Sequence, residues 1–523
     1  MKPTASDASG VDHSIHELSP QTTAELVGTP YYNCDMAPTT REQRRWGMKD
    51  LAVLWISMSA CIPTYMLASG LINGGMNWWQ AVLTIFLGNV IVLIPMVLNA
   101  HAGTKYGIPF PVYCRASFGI LGANVPALLR ALVACGWFGI QTWIGGEAIY
   151  MILKVFFPAW GDLPELFATA GVAGSGLGIN AAQLVCFLAF WLINMLVIYK
   201  GIESIRILLN VKAPLLIVLG LALLAWAYSQ AGGFGEMLSK PSQFSAGMPK
   251  QGQFWGFFVL ALTGNVSFWA TLALNIPDFS RYAKSQRDQV LGQVMGLPTT
   301  MGLYSFIGVA VTSAALVIYH DLPAATKEQL WNPVFLLSLF ENPLVLIVAM
   351  VALCIATLAT NIAANVVSPA NDFAHLWPRM ISFRTGGLIT GIIGILIQPW
   401  RLLENAQVYI DKWLVGYSLL LGAVGGVLIA DYIVIRRTNL DLAGLYRKHG
   451  PYWYAGGFNF IALFALGLGI ALCVPGFLAT VGWVTVGPFW QTLYSFAWFT
   501  SFGVAFGVYV VLMKLLRPKQ NTQ

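Results

Sequence analysis

The chain has 523 residues, 57% of them hydrophobic and only 10% charged, whereas an average soluble domain carries about 25% charged residues. Its 29 Lys+Arg and 22 Asp+Glu cannot cover the surface of a water-soluble protein of this length, which leaves an all-α polytopic membrane protein. The formal net charge of +7 does not point to nucleic acid, because the basic residues fall in short clusters between apolar segments. The seven cysteines are scattered, without CxxC or Cys/His spacing, so neither a disulfide framework nor a zinc site is indicated.

In chain order, residues 1–49 read as a polar, flexible cytoplasmic tail that lacks the features of a signal peptide. About twelve apolar segments follow, at roughly 50–71, 78–100, 127–152, 178–200, 206–229, 254–276, 295–319, 344–368, 386–400, 413–435, 457–476 and 489–514, each able to span a bilayer. With the amino terminus inside, that side holds Lys105, Arg115, Lys200, Arg206, Arg281, Arg384, Arg436, Arg437 and Arg447 among others. The opposite side holds only Lys154, Lys240, Lys250, Lys327, Arg401 and Lys412. The positive-inside rule then puts both termini in the cytoplasm and the chain in the plasma (inner) membrane.

Two spans are interrupted at corresponding places. Cys61-Ile62-Pro63 breaks the first, since proline lacks the amide hydrogen that a continuous helix uses. Thr263-Gly264-Asn265 is expected to break the sixth. Breaks in spans one and six are the signature of an inverted-repeat transporter with its site at the bilayer midplane. Taken singly, they also fit a proline kink and a packing glycine.

Polar groups inside hydrocarbon cost several kcal/mol unless they face a cavity or a partner. In span three, Trp137 and Gln141 lie one turn apart on one face. Together they offer a stacking plane and a two-way amide suited to a flat, hydrogen-bonding ring, although a Trp packed in a helix interface fits as well. Trp269 of span six could stack on the ring's other side, and span eight supplies Asn361 and Asn365 among small residues that also suit close packing. Glu147 of span three and Lys212 of span five are the remaining ionisable groups, while Arg130 is expected to snorkel from the inner end of span three.

These residues carry a resemblance. Trp137-Phe138-Gly139-Ile140-Gln141-Thr142-Trp143, Ala363-Ala364-Asn365-Val366-Val367-Ser368-Pro369-Ala370, Asn275-Ile276-Pro277-Asp278-Phe279 and Ala430-Asp431-Tyr432 before Arg436-Arg437 resemble nucleobase:cation symporter family 1. That family includes hydantoin, allantoin, uracil and cytosine permeases. The likeness runs from about residue 30 to residue 515, and Gly103 to Val112 and Arg115 to Gly119 are similar to its bacterial allantoin permeases.

The resemblance implies a five-plus-five inverted repeat with broken helices one and six: residues 50–229 and 254–435 as the two repeats, 457–514 as two additional helices, and 515–523 as a cytoplasmic tail. By matching, Trp137 and Trp269 would sandwich a planar ring, Gln141 and Asn365 would bond its edges, Cys61 and Gly264 would face it, and Ile410 would fall on the extracellular thin gate. A sodium site in the family would match Ser57, Ala60, Ala356 and Thr360, but Ala359 stands where a serine hydroxyl is expected. One oxygen ligand is missing, and the ammonium of Lys212 could take the ion's place, with Glu147 as a second protonatable candidate. Glu147 equally fits a carboxyl bonded to a neighbouring helix.

The expected function is therefore a secondary active importer of a nucleobase or related cyclic ureide, uracil favoured, coupled to a proton in preference to sodium. A sodium-coupled allantoin or hydantoin permease is the alternative. A channel or receptor would need a filter or a ring of pore charges, and an enzyme a catalytic constellation; neither is visible. No cofactor is implied beyond the co-transported H+ or Na+, and no partner beyond the small-molecule substrate and the lipid bilayer. Oligomeric state is left open, a monomer being allowed.

Overall fold

The computed structural model describes residues 15–32, 34–168, 176–200, 202–376 and 380–516, without the side chains of 202–214 and 383. Backbone groups in hydrocarbon must be satisfied within the segment, so the apolar runs become helices, and no strand occurs among the described residues. Among the described residues, eight helices are long and apolar enough to cross a membrane, and Met48–Ser59 with Ile62–Asn73, bent by 58°, makes a ninth span. The shorter apolar helices in Ile202–Gln230, Phe254–Phe268 and Phe383–Leu396 complete twelve. In chain order the remaining spans are Trp78–Tyr106, Asn124–Phe156, Ala181–Lys200, Gln286–Ile318, Pro343–Leu376, Val408–Ile435, Phe460–Thr480 and Ala497–Leu516.

Span one breaks where expected. Ala60 leaves the helix, Cys61 is extended (φ −150°, ψ 160°), and Pro63 sits in the first turn of the second half, where its missing N–H does no harm. The break in span six does not fall at Thr263-Gly264-Asn265. Phe254–Phe268 is helical throughout, and the chain leaves the ladder at Trp269 (φ −102°, ψ 6°) before resuming as Ala270–Asn275. Gly264 serves close approach instead: a methyl built on it would lie 3.3 Å from Ile410 Cγ2.

Span seven begins at Gln286, earlier than its apolar window, because Gln289 and Gln293 are buried and bond each other, Gln293 Nε2 donating to Gln289 Oε1 at 2.6 Å. Its glycines set its distance from span one. A Cβ on Gly292 would lie 2.7 Å from the Met48 carbonyl, and one on Gly296 2.8 Å from that of Ala52. Such small-residue faces let helices approach where no hydrophobic force drives them together. Span three meets span nine the same way, Gly139 against the Gly394 carbonyl.

Arg130 does not snorkel. Its Nε lies 3.2 Å from Asp372 Oδ2, with the two side chains 1% and 0% exposed. Its Nη1 donates to Ser368 Oγ, which in turn donates to Asp278 Oδ2 at 2.7 Å. The guanidinium is held because span eight continues past Asn365 as Val367–Leu376 and brings a carboxylate to it; an unpaired buried charge would cost several kcal/mol.

Of the expected flexible tail, residues 15–32 and 34–45 are packed, while residues 1–14 lie outside the described residues. Leu26 is buried, Tyr446 donates to the Met36 carbonyl at 2.8 Å, Arg115 to that of Tyr31 at 2.9 Å, and Thr39 to that of Arg281 at 2.6 Å. The basic residues Lys105, Arg115, Arg281 and Arg447 thus gather on the face that carries this segment.

Gly296→Leu should destabilise the protein by about 1–3 kcal/mol or more, since its side chain meets the backbone of span one. Gly302→Leu, whose Cβ would meet only Phe86 Cδ2 at 3.7 Å, should be nearly neutral. Thermal unfolding of the two variants in detergent checks this, and equal midpoints would contradict it.

Candidate functional site

The two breaks open one central cavity. It is lined by Met58, Cys61 and Pro63 from span one, Trp137 and Gln141 from span three, Phe268, Trp269, Thr271 and Leu272 from span six, and Thr360, Ala364 and Asn365 from span eight. Among the described residues no charged side chain lines it, so its chemistry is that of aromatic planes and amides. The carbonyl oxygen Gln141 Oε1 is buried without a hydrogen-bond partner among the described residues. Asn365 directs Nδ2 to Asn361 Oδ1 at 3.1 Å. The Cys61 thiol lies 3.3 Å from Thr64 Oγ1.

Trp137 and Trp269 share the cavity without ring contact between them. Phe268 stands edge-on to both, its centroid 5.3 Å from Trp137 and 5.0 Å from Trp269. Sequence reading passed over Phe268; its position directly before Trp269, at the break, is the signal that marks it. The cavity holds about 30 Å³, room for a water or two. A ring enters only if Phe268 or an indole turns aside. Tyr409, Trp413 and Tyr417 of span ten surround the other edges of Trp137 with centroids 6.2, 5.8 and 6.4 Å away.

The break in span six releases the Ser267 carbonyl, to which Tyr417 donates at 2.7 Å, and Pro277, which lacks an N–H, leaves the Ala273 carbonyl to Asn99 Nδ2 at 2.8 Å. Span ten opens with a π-helical turn, Val408–Leu414, a distortion common at functional sites. Ile410 on that turn is buried and wedged between spans one and six, 3.3 Å from methyls built on Gly70 and on Gly264. Gly264 is therefore under the wedge and not among the cavity-lining residues.

The other expected positions are more dispersed. Ala60 lies at the break of span one, with Ser57 one turn before it, and Thr360 donates to the Ala356 carbonyl at 2.9 Å in span eight. Glu147 is outside the cavity, accepting from Asn332 Nδ2 at 3.4 Å in the connection between spans seven and eight. The side chain of Lys212 lies outside the described residues. On the face of the amino-terminal segment, a vestibule of about 1200 Å³ reaches Asp278 and Ser368, which bond each other beside Arg130.

Comparison with known proteins places this geometry. The family model described as permease for cytosine/purines, uracil, thiamine and allantoin matches residues 38–500. The chain is 44% identical to the purine-uracil permease NCS1 of Arabidopsis thaliana over 94% of its length and 79% of the relative's. It is 39% identical to the allantoin permease of Bacillus subtilis over 93% of its length and 94% of the relative's. Among solved structures it superposes on Mhp1, a nucleobase-cation-symport-1 family transporter closed around bromovinylhydantoin, with a TM-score of 0.71 at 24% identity, covering 93% of this chain and 96% of that one. Inward-facing Mhp1 gives 0.73. The fold is thus the inverted-repeat transporter fold with broken spans one and six, and members of the family are permeases, not enzymes. Since the match spans all but the ends of the chain and includes both breaks, this membrane protein belongs to the nucleobase:cation symporter family.

Proposed function

We propose that the protein is a secondary active importer of uracil, or of a closely related cyclic ureide, driven by a proton gradient across the plasma membrane. The observation that carries this reading is the unpartnered Gln141 amide oxygen in an uncharged, indole-lined cavity at the two helix breaks. A neutral planar ring supplies what the cavity lacks: a flat face for Trp137 and Trp269, and polar edges for Gln141 and Asn365. Cys61 offers only a weak thiol donor, which favours a compact ring over a bulky polar ureide. The face that bears the basic clusters and the amino-terminal segment is taken as cytoplasmic, and Ile410 as the gate on the opposite side.

The coupling ion follows from oxygen count. A hard cation between spans one and eight would draw on Ser57, Ala60, Ala356 and Thr360, but Ala359 offers a methyl where a further oxygen is needed. A proton carried by Lys212 needs no such ligand. A sodium-coupled allantoin permease is the second reading, its substrate favoured by the likeness to the Bacillus subtilis allantoin permease.

Trp137→Ala or Trp269→Ala should abolish saturable uptake with the protein still in the membrane. Trp143→Phe should be tolerated, because Trp143 packs on Trp400 and Phe187 away from the cavity. Transport assays with radiolabelled uracil, allantoin and hydantoin decide it; unchanged apparent affinity in Trp137→Ala would move the site elsewhere. Gln141→Leu leaves a polar substrate atom unpaired at a cost of about 1–3 kcal/mol, so affinity should fall by about tenfold or more. Uptake should persist in sodium-free buffer, rise at acidic external pH and collapse with a protonophore, and Lys212→Ala should lose accumulation against a gradient. Strict sodium dependence at constant pH and membrane potential would overturn the proton assignment.

A further inference from the structure

A chain of amides behind the cavity has a direction. Its fixed points are two backbone carbonyls, which unlike side-chain amides cannot be turned end for end. In span four, Asn194 donates Nδ2 to the Phe190 carbonyl at 2.8 Å, so its Oδ1 faces span eight. In span three, Thr142 donates its hydroxyl to the Phe138 carbonyl at 2.7 Å and offers only lone pairs beyond it. Asn361 Nδ2 therefore meets three acceptors: Phe138 O at 3.2 Å, Thr142 Oγ1 at 3.0 Å and Asn194 Oδ1 at 3.2 Å.

Asn194, Thr142 and Asn361 are all 0% exposed. A reversed Asn361 would press its oxygen against three others in a buried setting, where an unmade hydrogen bond is most costly. Its Oδ1 is thus turned one helical turn onward, to accept Asn365 Nδ2 at 3.1 Å. That contact uses one of the two N–H groups of Asn365 and fixes the direction of its amide. Because Asn365 lines the cavity, its carbonyl oxygen is the end turned toward a ligand, whereas the Gln141 amide across the cavity, its Oε1 unpartnered, can present either end.

We propose that Asn361 is a positioning residue that fixes the polarity of the cavity: it holds the Asn365 oxygen toward the ligand and so selects rings that present an N–H on that edge. This role presupposes the ring-binding reading of the same cavity. The substrate class it defines is a planar lactam or ureide with an N–H directed at Asn365 of span eight. A ring with an unprotonated nitrogen at that edge sets lone pair against lone pair, a penalty that corresponds to about tenfold to hundredfold in affinity.

The test is equilibrium binding to the purified full-length protein, with two matched sets of probes. Cytosine replaces the N3–H of uracil by an unprotonated nitrogen and its C4 carbonyl by an amino group, reversing that edge, and 1-methylhydantoin and 3-methylhydantoin each remove one N–H of hydantoin. Wild type should prefer the N–H member of its better set by about tenfold or more. Asn361→Ala frees the Asn365 amide to turn, so this preference should fall to about threefold or less, while addition of Trp137→Ala still abolishes binding. If Asn361→Ala does not fold, Asn194→Leu, which removes one acceptor without touching span eight, should lower the same ratio. An absent preference in wild type, or a ratio unmoved in a variant that binds, overturns the role of Asn361 while Trp137 dependence keeps the site. Binding unaffected by Trp137→Ala, or absent for every probe, sinks the ring-binding reading and the polarity relay with it.

Discussion

A carbonyl or amide that leaves the helical ladder inside hydrocarbon must find a protein partner, because water is not there to serve. Opening span six therefore recruits a side chain from elsewhere. Tyr417 of span ten caps the Ser267 carbonyl, and Asn99 of span two caps that of Ala273, which Pro277 leaves open. The same Tyr417 stands beside Trp137 with Trp413 and Tyr409, so the residue that satisfies the break also builds the aromatic wall of the cavity. Backbone satisfaction and site shape are two consequences of one contact.

The same constraint governs the polar side chains. Arg130 has Asp372 and Ser368, Asn361 has Phe138, Thr142 and Asn194, and Gln293 has Gln289. These partners come mostly from other spans, which ties span three to span eight at two depths, through the amides beside the cavity and through the ion pair near the vestibule. Spans one and seven are joined differently, by glycines at Gly292 and Gly296 that bring backbone onto backbone. Close glycine packing occurs in both groups of helices, at Gly139 as at Gly292 and Gly296, and the polar pins add a second kind of contact between spans three, four and eight.

How far this could be read from residues alone depends on whether the signal is local. Pro63 marks the break in span one because a missing N–H is a property of the residue itself. Gly264 misled, since a glycine serves flexibility and close approach alike, and only the position of Ile410 shows which. Arg130 was expected to snorkel because Asp372 lies more than two hundred residues away and the helical continuation that delivers it is not written in hydropathy. Trp137, Gln141 and Asn365, singled out by their membrane cost, line one cavity, yet the direction of the Asn365 amide is tied to Asn194 and to two carbonyls that no spacing rule connects. The packed amino-terminal segment was also missed, its contacts being with loops scattered along the chain.

An uncharged cavity has a consequence for how transport is driven. With no ionic side chain among its described lining residues, the cavity would, on the proposed function, recognise a neutral ring by the direction of its dipoles, and binding would add no net charge to the site. On that proposal work against a gradient would come from an ion bound elsewhere, and its influence would travel through the breaks that the ion site and the cavity share. Cys61 and Thr360 line the cavity, while Ala60 and Ala356, the adjoining backbone positions, are where an ion or a protonated Lys212 would act. A cavity of about 30 Å³ is too small for a ring, so admission requires lining side chains to turn aside or spans one, three, six and eight to shift, and any cation that stiffens the junction of spans one and eight biases that change.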